Sequence, residues 1–244
     1  MHSGKNRFAK GRREAPIAEA SCLILLNSRA MLRTPILLIG FIVAAFVVAY
    51  PVGAQSLREL LFDAIKAGDY AETARLVKAG IHYTARNAQG ETALIAASEN
   101  ARPDMVKLLL ENGADAAARS SNGETALHAA ALHADAEIAR LLLQNGAQAD
   151  PLNRDGESPL FWAALGGSID VVKLLVERGA QIARADAKGN SILHAAAADG
   201  HLSVIAYLLE RKVNRSGRNK AGERPVDLAK ARGQDAAVEL LSRR

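Results

Sequence analysis

Asn122-Gly123-Glu124-Thr125-Ala126-Leu127-His128 opens the stretch, running on to Asn153, that sets the architecture of the whole chain. Behind it come a helix of small residues to Ala134, a turn, a second helix over Ile138 to Leu143, and a close at Asn145-Gly146-Ala147. The opening glycine recurs as Gly90, Gly123, Gly156, Gly189 and Gly222, each step being 33 residues. A second series with the same step runs Gly80, Gly113, Gly146 and Gly179, and Lys212 stands where its next glycine would fall. Two interleaved ladders of one period define a repeat array, in which each unit buries its apolar face on its neighbours.

The openings repeat as well: Thr92-Ala93-Leu94-Ile95, Thr125-Ala126-Leu127-His128, Ser158-Pro159-Leu160-Phe161 and Ser191-Ile192-Leu193-His194. A Thr or Ser hydroxyl there caps unpaired amides, and Pro159 falls at the first helical position, where a missing N–H costs nothing. Alanine runs follow (Ala96-Ala97, Ala129 to Ala131, Ala163-Ala164, Ala195 to Ala198) and suit close helix approach. The second helices are thicker, with Val106 to Leu110, Ile138 to Leu143, Val171 to Val176 and Val204 to Leu209.

Period and openings together resemble the ankyrin repeat family, with its Thr-Pro-Leu-His signature. The resemblance implies an all-α solenoid of helix-turn-helix units with short β-hairpin-like loops. About six units are expected, over 56–88, 89–121, 122–154, 155–187, 188–220 and 221–244. The first has no signature tetrapeptide and starts from a capping box, Ser56-Leu57-Arg58-Glu59, with Leu60, Leu61, Ala64 and Ile65 as its buried stripe. The last opens with Arg224-Pro225-Val226-Asp227 and is truncated. Both read as caps.

Net charge is +5. Residues 1–54 hold seven Lys/Arg against Glu14 and Glu19, whereas 55–244 hold 24 of each sign, so the basicity belongs to the leader and argues for no nucleic-acid partner. Residues 1–30 are expected to be disordered or to lie upstream of a true start at Met31. Residues 31–54 resemble a bacterial secretory signal peptide: Arg33, an apolar core from Ile36 to Ala49, and Val52 and Ala54 before a cut at Gln55. The alternative is an uncleaved signal anchor, because Thr34 to Ala54 carries no charge. Either reading places the repeats outside the cytoplasm, periplasmic or secreted in the first case and facing the periplasm from the inner membrane in the second. Cys22, the single cysteine, lies in the leader and reads as an ordinary thiol.

No catalytic, cofactor-binding or metal-binding residue is expected. His128 and His133 are five apart, which does not put them on one helix face, and the glycines follow the repeat rather than a phosphate loop. The resemblance implies that His128 and His194 bond to the capping hydroxyl and backbone. His82 and His201 are expected to be solvated.

Partner contacts, again by resemblance, come from the hairpin tips and the exposed ends of the first helices along a concave groove. The tips are Gln89 and Glu91, Asn122 and Glu124, Asp155 and Glu157, and Lys188 and Asn190. The helix positions are Glu99 and Asn100, Leu132 and His133, Leu165 and Gly166, and Ala198 and Asp199. Trp162 stands among alanines and either fills a core gap or anchors an interface. The row Glu91, Glu124, Glu157 predicts a partner with a basic surface, unless it is a solvated edge. The cluster Arg211, Lys212, Arg215, Arg218, Lys220 and Arg224 reads as a charged cap, with an anionic membrane or acidic protein as the rival. It lacks the aromatics of a nucleic-acid site. The expectation is thus a monomeric, non-catalytic protein-protein interaction module. Its alternatives are a membrane-anchored adaptor and an enzyme with an unrecognised site.

Overall fold

The computed structural model describes residues 56–81 and 84–243; the expected leader, the expected cleavage site and His82 lie outside them. Twelve helices occur among the described residues, in six pairs. They are α1 Leu57–Ala67 with α2 Tyr70–Lys78, α3 Ala93–Glu99 with α4 Pro103–Glu111, and α5 Ala126–Leu132 with α6 Ala136–Gln144. After these come α7 Pro159–Leu165 with α8 Ile169–Glu177, α9 Ile192–Ala198 with α10 Leu202–Glu210, and α11 Pro225–Ala231 with α12 Asp235–Ser242. The helical solenoid expected from the repeat is what forms. Isolated antiparallel bridges, Arg86 with Thr92 and Ala185 with Ser191, mark the hairpin-like loops.

Caps decide where the helices begin. The Thr92 and Ser158 hydroxyls accept the N–H of Ile95 and Phe161 at 3.4 and 3.2 Å, and Asp69 and Asp135 do the same for Glu72 and Ile138 at 2.9 Å. In the first unit Ser56 and Glu59 form the reciprocal capping box. Helix α1 buries Leu61, Phe62, Ala64 and Ile65, while Leu60 is only partly covered, so Phe62 takes the place the stripe had given to Leu60.

The core is a set of columns at the repeat spacing. Leu61, Leu94, Leu127, Leu160 and Leu193 are buried in the first helices, and Leu76, Leu109, Leu142, Leu175, Leu208 and Leu241 in the second. Between neighbouring first helices runs a column of fully buried alanines: Ala97, Ala130, Ala163, Ala196 and Ala229. A methyl is all that this spacing admits, and first helices accordingly pack against each other much more closely than second helices do.

Left-handed turns end the helices. Besides the two glycine ladders, a third series sits between the paired helices: Gly68, Ala101, Ala134, Gly167, Gly200 and Gly233, all with positive φ. Two of its members being alanine hides it in the sequence. Helix α5 stops at Leu132, short of Ala134, because Ala134 turns left-handed at φ 60°. Lys212, in the glycine place of the second series, adopts φ 59° as well.

Such a φ is strained for any residue with a Cβ. Lys212→Gly is therefore expected to stabilise the fold by about 0.5–1 kcal/mol after the entropic cost of glycine. Urea denaturation measures it, and the same sign is expected for Ala134→Gly.

Candidate functional site

One residue per unit shapes each hairpin. The side-chain oxygens of Asn87, Ser120, Asn153, Asp186 and Asn219 accept the N–H groups two and four residues on, at 2.7 to 3.2 Å. Successive hairpins are then joined backbone to backbone: Arg154 N–H to the Asn122 carbonyl at 2.8 Å, Ala187 to Asp155 at 2.7 Å, and Lys220 to Lys188 at 2.9 Å. A Cβ on Gly156 would sit 3.0 Å from the Ala187 nitrogen, which is why glycine is needed there for close approach as well as for φ.

This geometry sorts the tip residues into two kinds. Gln89, Asn122, Asp155 and Lys188 are exposed, and no side-chain hydrogen bond or ion pair engages them. The residues two places on are half-buried and tied down. Glu91 accepts from Asn87 at 2.6 Å, Glu124 from Ser120 at 3.1 Å and Glu157 from Asn153 at 2.9 Å. In the fifth unit the roles exchange: Asn190 donates to the Asp186 carboxylate at 2.8 Å. Donor and acceptor swap ends while the bond survives, so the glutamate row serves the hairpins whatever else it faces.

Trp162 has a local partner too. Its indole N–H donates to Glu157 at 2.7 Å, and its half-buried ring meets His128 edge to face at 5.4 Å. The Thr125 N–H donates to His128 Nδ1 at 3.1 Å, which leaves the proton on Nε2, 3.2 Å from the Glu157 carbonyl of the next unit. Ser191, His194 and the Glu223 carbonyl repeat the arrangement at 3.1 and 3.0 Å. Both histidines thus take the structural part expected of them. Burial lowers the His128 pKa to about 4, helped by the charge of Arg119 and opposed by the bond to Glu157. At the same place in the last unit stands Asp227, whose carboxylate accepts the Arg224 N–H at 3.0 Å and is held well below its usual pKa by the Arg224 guanidinium.

Some of the expected contact residues line one of two hollows. One hollow, of about 610 Å³, gathers Gln89, Glu91, Glu99 and Asn100 against Arg58 and Lys66 of α1. The other, of about 640 Å³, gathers Leu165, Lys188 and Asn190 with Phe161. In the first, desolvation, then repulsion from Glu91 and Glu124 and a bond to Glu91, push Glu99 up to about 7 against the pull of Lys66. Leu132 is half-buried and His133 exposed; Asp199 pairs with Arg232 at 2.6 Å. Ala198 is buried but for an edge that lines the second hollow, and Gly166 lies so close to Leu132 that a Cβ would overlap its carbonyl, so Gly166 offers no side chain to a partner.

His201 departs from expectation. It is half-buried, with Nε2 2.7 Å from the Leu165 carbonyl, so it bridges units instead of facing water. The basic cluster is largely occupied as well: Arg211 stacks on Tyr207 at 4.7 Å, Arg215 reaches the Arg243 carbonyl, Arg218 the Gly222 carbonyl, and Arg224 grips Asp227. Arg86 and Arg119 were not singled out in the sequence. Each donates to its own hairpin and to a carbonyl 33 residues on, Arg119 to Gly123 at 3.0 Å and to Leu152 at 2.6 Å. Their common 33-residue spacing was the available signal. Among the described residues no group of His, Cys, Asp and Glu is placed to hold a metal ion, and no helix is long and apolar enough to cross a membrane.

Family models for ankyrin repeats match residues 61–110, 115–186 and 188–220. Comparison with curated proteins gives no match.

His128 and Glu99 predict opposite pH dependences. His128 is neutral in the fold but binds a proton near pH 6.5 once unfolded, so its stabilising share is complete above about pH 6.5 and is lost as pH falls towards 4, about 3 kcal/mol in all. His128→Gln keeps an acceptor for the Thr125 N–H and should flatten that limb of the urea midpoint against pH. Glu99 runs the other way: its share is present below its ordinary pKa and lost as pH rises through about 7. Glu99→Gln is expected to raise the urea midpoint at pH 8 and to leave it nearly unchanged at pH 4.

Proposed function

The chain belongs to the ankyrin repeat family, and on that premise we propose that it is a non-catalytic, monomeric adaptor that binds a protein partner along its hairpin tips and first helices. Ankyrin repeats are generally protein-protein interaction modules. The observation that carries the proposal here is the division of labour at the tips: four exposed side chains, Gln89, Asn122, Asp155 and Lys188, stand in line and do nothing for the fold. Side chains released from structural duty on a rigid, hydrogen-bonded scaffold are the ones available for recognition. The carboxylates around Glu91, Glu99 and Glu124 favour a basic patch on the part of the partner that meets the first units.

Export is the second part of the proposal. Helix α1 starts at Leu57, with its cap at Ser56, directly after the expected cut before Gln55, so cleavage would leave the capping box whole. The adaptor then works in the periplasm or outside the cell. N-terminal sequencing of protein from a membrane-free extract tests this: a start at Gln55 supports release, and an intact leader recovered solely from membranes replaces it with the anchored form.

For binding, the quadruple variant Gln89→Ala, Asn122→Ala, Asp155→Ala and Lys188→Ala should fold as before, with an unchanged circular dichroism melt. It should also lose the proteins that the unaltered protein captures from the extracytoplasmic fraction. Capture that survives these changes but fails on substitution of Lys107 and Glu111, on the second-helix side, would move the site to the other face. The sole tryptophan gives a second readout, since a partner covering Trp162 shifts its emission.

A further inference from the structure

The body's zero net charge conceals a strong polarity. Residues 56–187 carry 13 Lys/Arg against 18 Asp/Glu, while 188–244 carry 11 against 6, a net of −5 followed by a net of +5. The hollow of about 640 Å³ lies at the basic end. Its floor is apolar, from Phe161 and Leu165 of α7 and Leu228 of α11, with Ala195 and Ala198 of α9 between them. Its rim carries Lys188, Lys220 and Arg232.

The bonding around this rim leaves it cationic. Glu223, the carboxylate that lines the hollow, accepts from the Asn219 side chain at 3.0 Å and from no cation. Arg232 is neutralised by Asp199 at 2.6 Å. Lys188 and Lys220 are both exposed and in no ion pair, although their backbones are bonded to each other, which holds the two stems side by side. The arginines nearby spend their donors on carbonyls, on Tyr207 and on Asp227. Two adjacent ammonium groups over an apolar floor repel a basic ligand and favour one that brings carboxylates beside a large apolar side chain. The hollow at the other end sets Glu59, Asp63, Glu91 and Glu99 against Arg58 and Lys66, so its acidic excess leans the other way.

Resting on the protein-binding reading above, we infer that the hollow over the fourth to sixth units takes an acidic segment of the partner. One large apolar side chain seats on Phe161, Leu165 and Leu228, and flanking carboxylates face Lys188 and Lys220. The partner is then polar in its own right, basic towards the first units and acidic towards the last, and the match of the two gradients fixes the direction in which it lies along the repeats.

Selection from a random peptide display library on the intact protein, followed by anisotropy titration of the enriched peptides, tests the inference. Enriched sequences should place Asp or Glu beside Leu, Ile, Phe or Met. Their affinity should fall about tenfold in Lys188→Glu/Lys220→Glu, two surface changes whose folding a thermal melt checks, and severalfold between about 50 mM and about 500 mM salt. Leu165→Asp should abolish binding, and Lys107→Ala, on the second-helix side, should leave it unchanged. Peptides that bind but are basic or uncharged, or that respond to Gln89 and Asn122 and not to the two lysines, overturn the inference and leave the protein-binding reading standing. Enrichment of no peptide overturns both. Binding to anionic phosphatidylglycerol vesicles that the lysine double variant abolishes, without acidic-peptide enrichment, assigns the hollow to a lipid surface and overturns it as well.

Discussion

Everything in the repeats depends on how closely neighbouring first helices approach. The column Ala97, Ala130, Ala163, Ala196, Ala229 sets that distance, since each methyl is wholly enclosed and leaves no room for a larger group. At this separation the hairpins that precede the helices come within hydrogen-bonding reach of one another, as in the bonds from Arg154 to Asn122 and from Ala187 to Asp155. The leucine columns of the first and second helices fill the layer between each helix pair and the next. A larger residue in the alanine column would therefore disturb two things together, the apolar seam and the polar line of hairpins.

Polar groups follow the same logic of dependence on the next unit. His128 satisfies its own helix cap with one ring nitrogen and the following hairpin with the other. His194 repeats this towards Glu223, and Arg119 clamps Leu152. The interface between units is thus apolar on the helix side and hydrogen-bonded on the hairpin side, with no unit complete by itself. Rigidity at the tips is a product of this arrangement, and it is what allows Gln89, Asn122, Asp155 and Lys188 to be presented without support from a partner.

Features fixed by local chemistry could be read from the sequence. The Thr and Ser caps, the proline at the start of α7 and the alanine runs each act within a few residues, and each was legible, as was the period that repeats them. What escaped reading acts across a full repeat or depends on direction. His201 looked like a turn residue because its acceptor, the Leu165 carbonyl, lies 36 residues away. The left-handed turn at Ala101 and Ala134 was hidden because alanine there carries strain that glycine avoids elsewhere in the same series. Glu91, Glu124 and Glu157 were rightly placed on one line, but a 33-residue spacing says nothing about whether a carboxylate turns outward or back to Asn87, Ser120 and Asn153. Among the tip residues, spacing therefore found the hairpins, and only the bonding separated the side chains that hold them from those that make no such bond.

The carbonyl-to-amide links from one hairpin to the next have a bearing on how such a chain can change in length. Each link asks only that the following unit present an N–H 32 residues beyond the carbonyl. Duplication or loss of one whole module between the caps restores every link, whereas an insertion of a few residues in a hairpin severs one on either side. The molecule is thus built to be edited in whole increments, and its line of exposed hairpin tips can be extended by copying what already works.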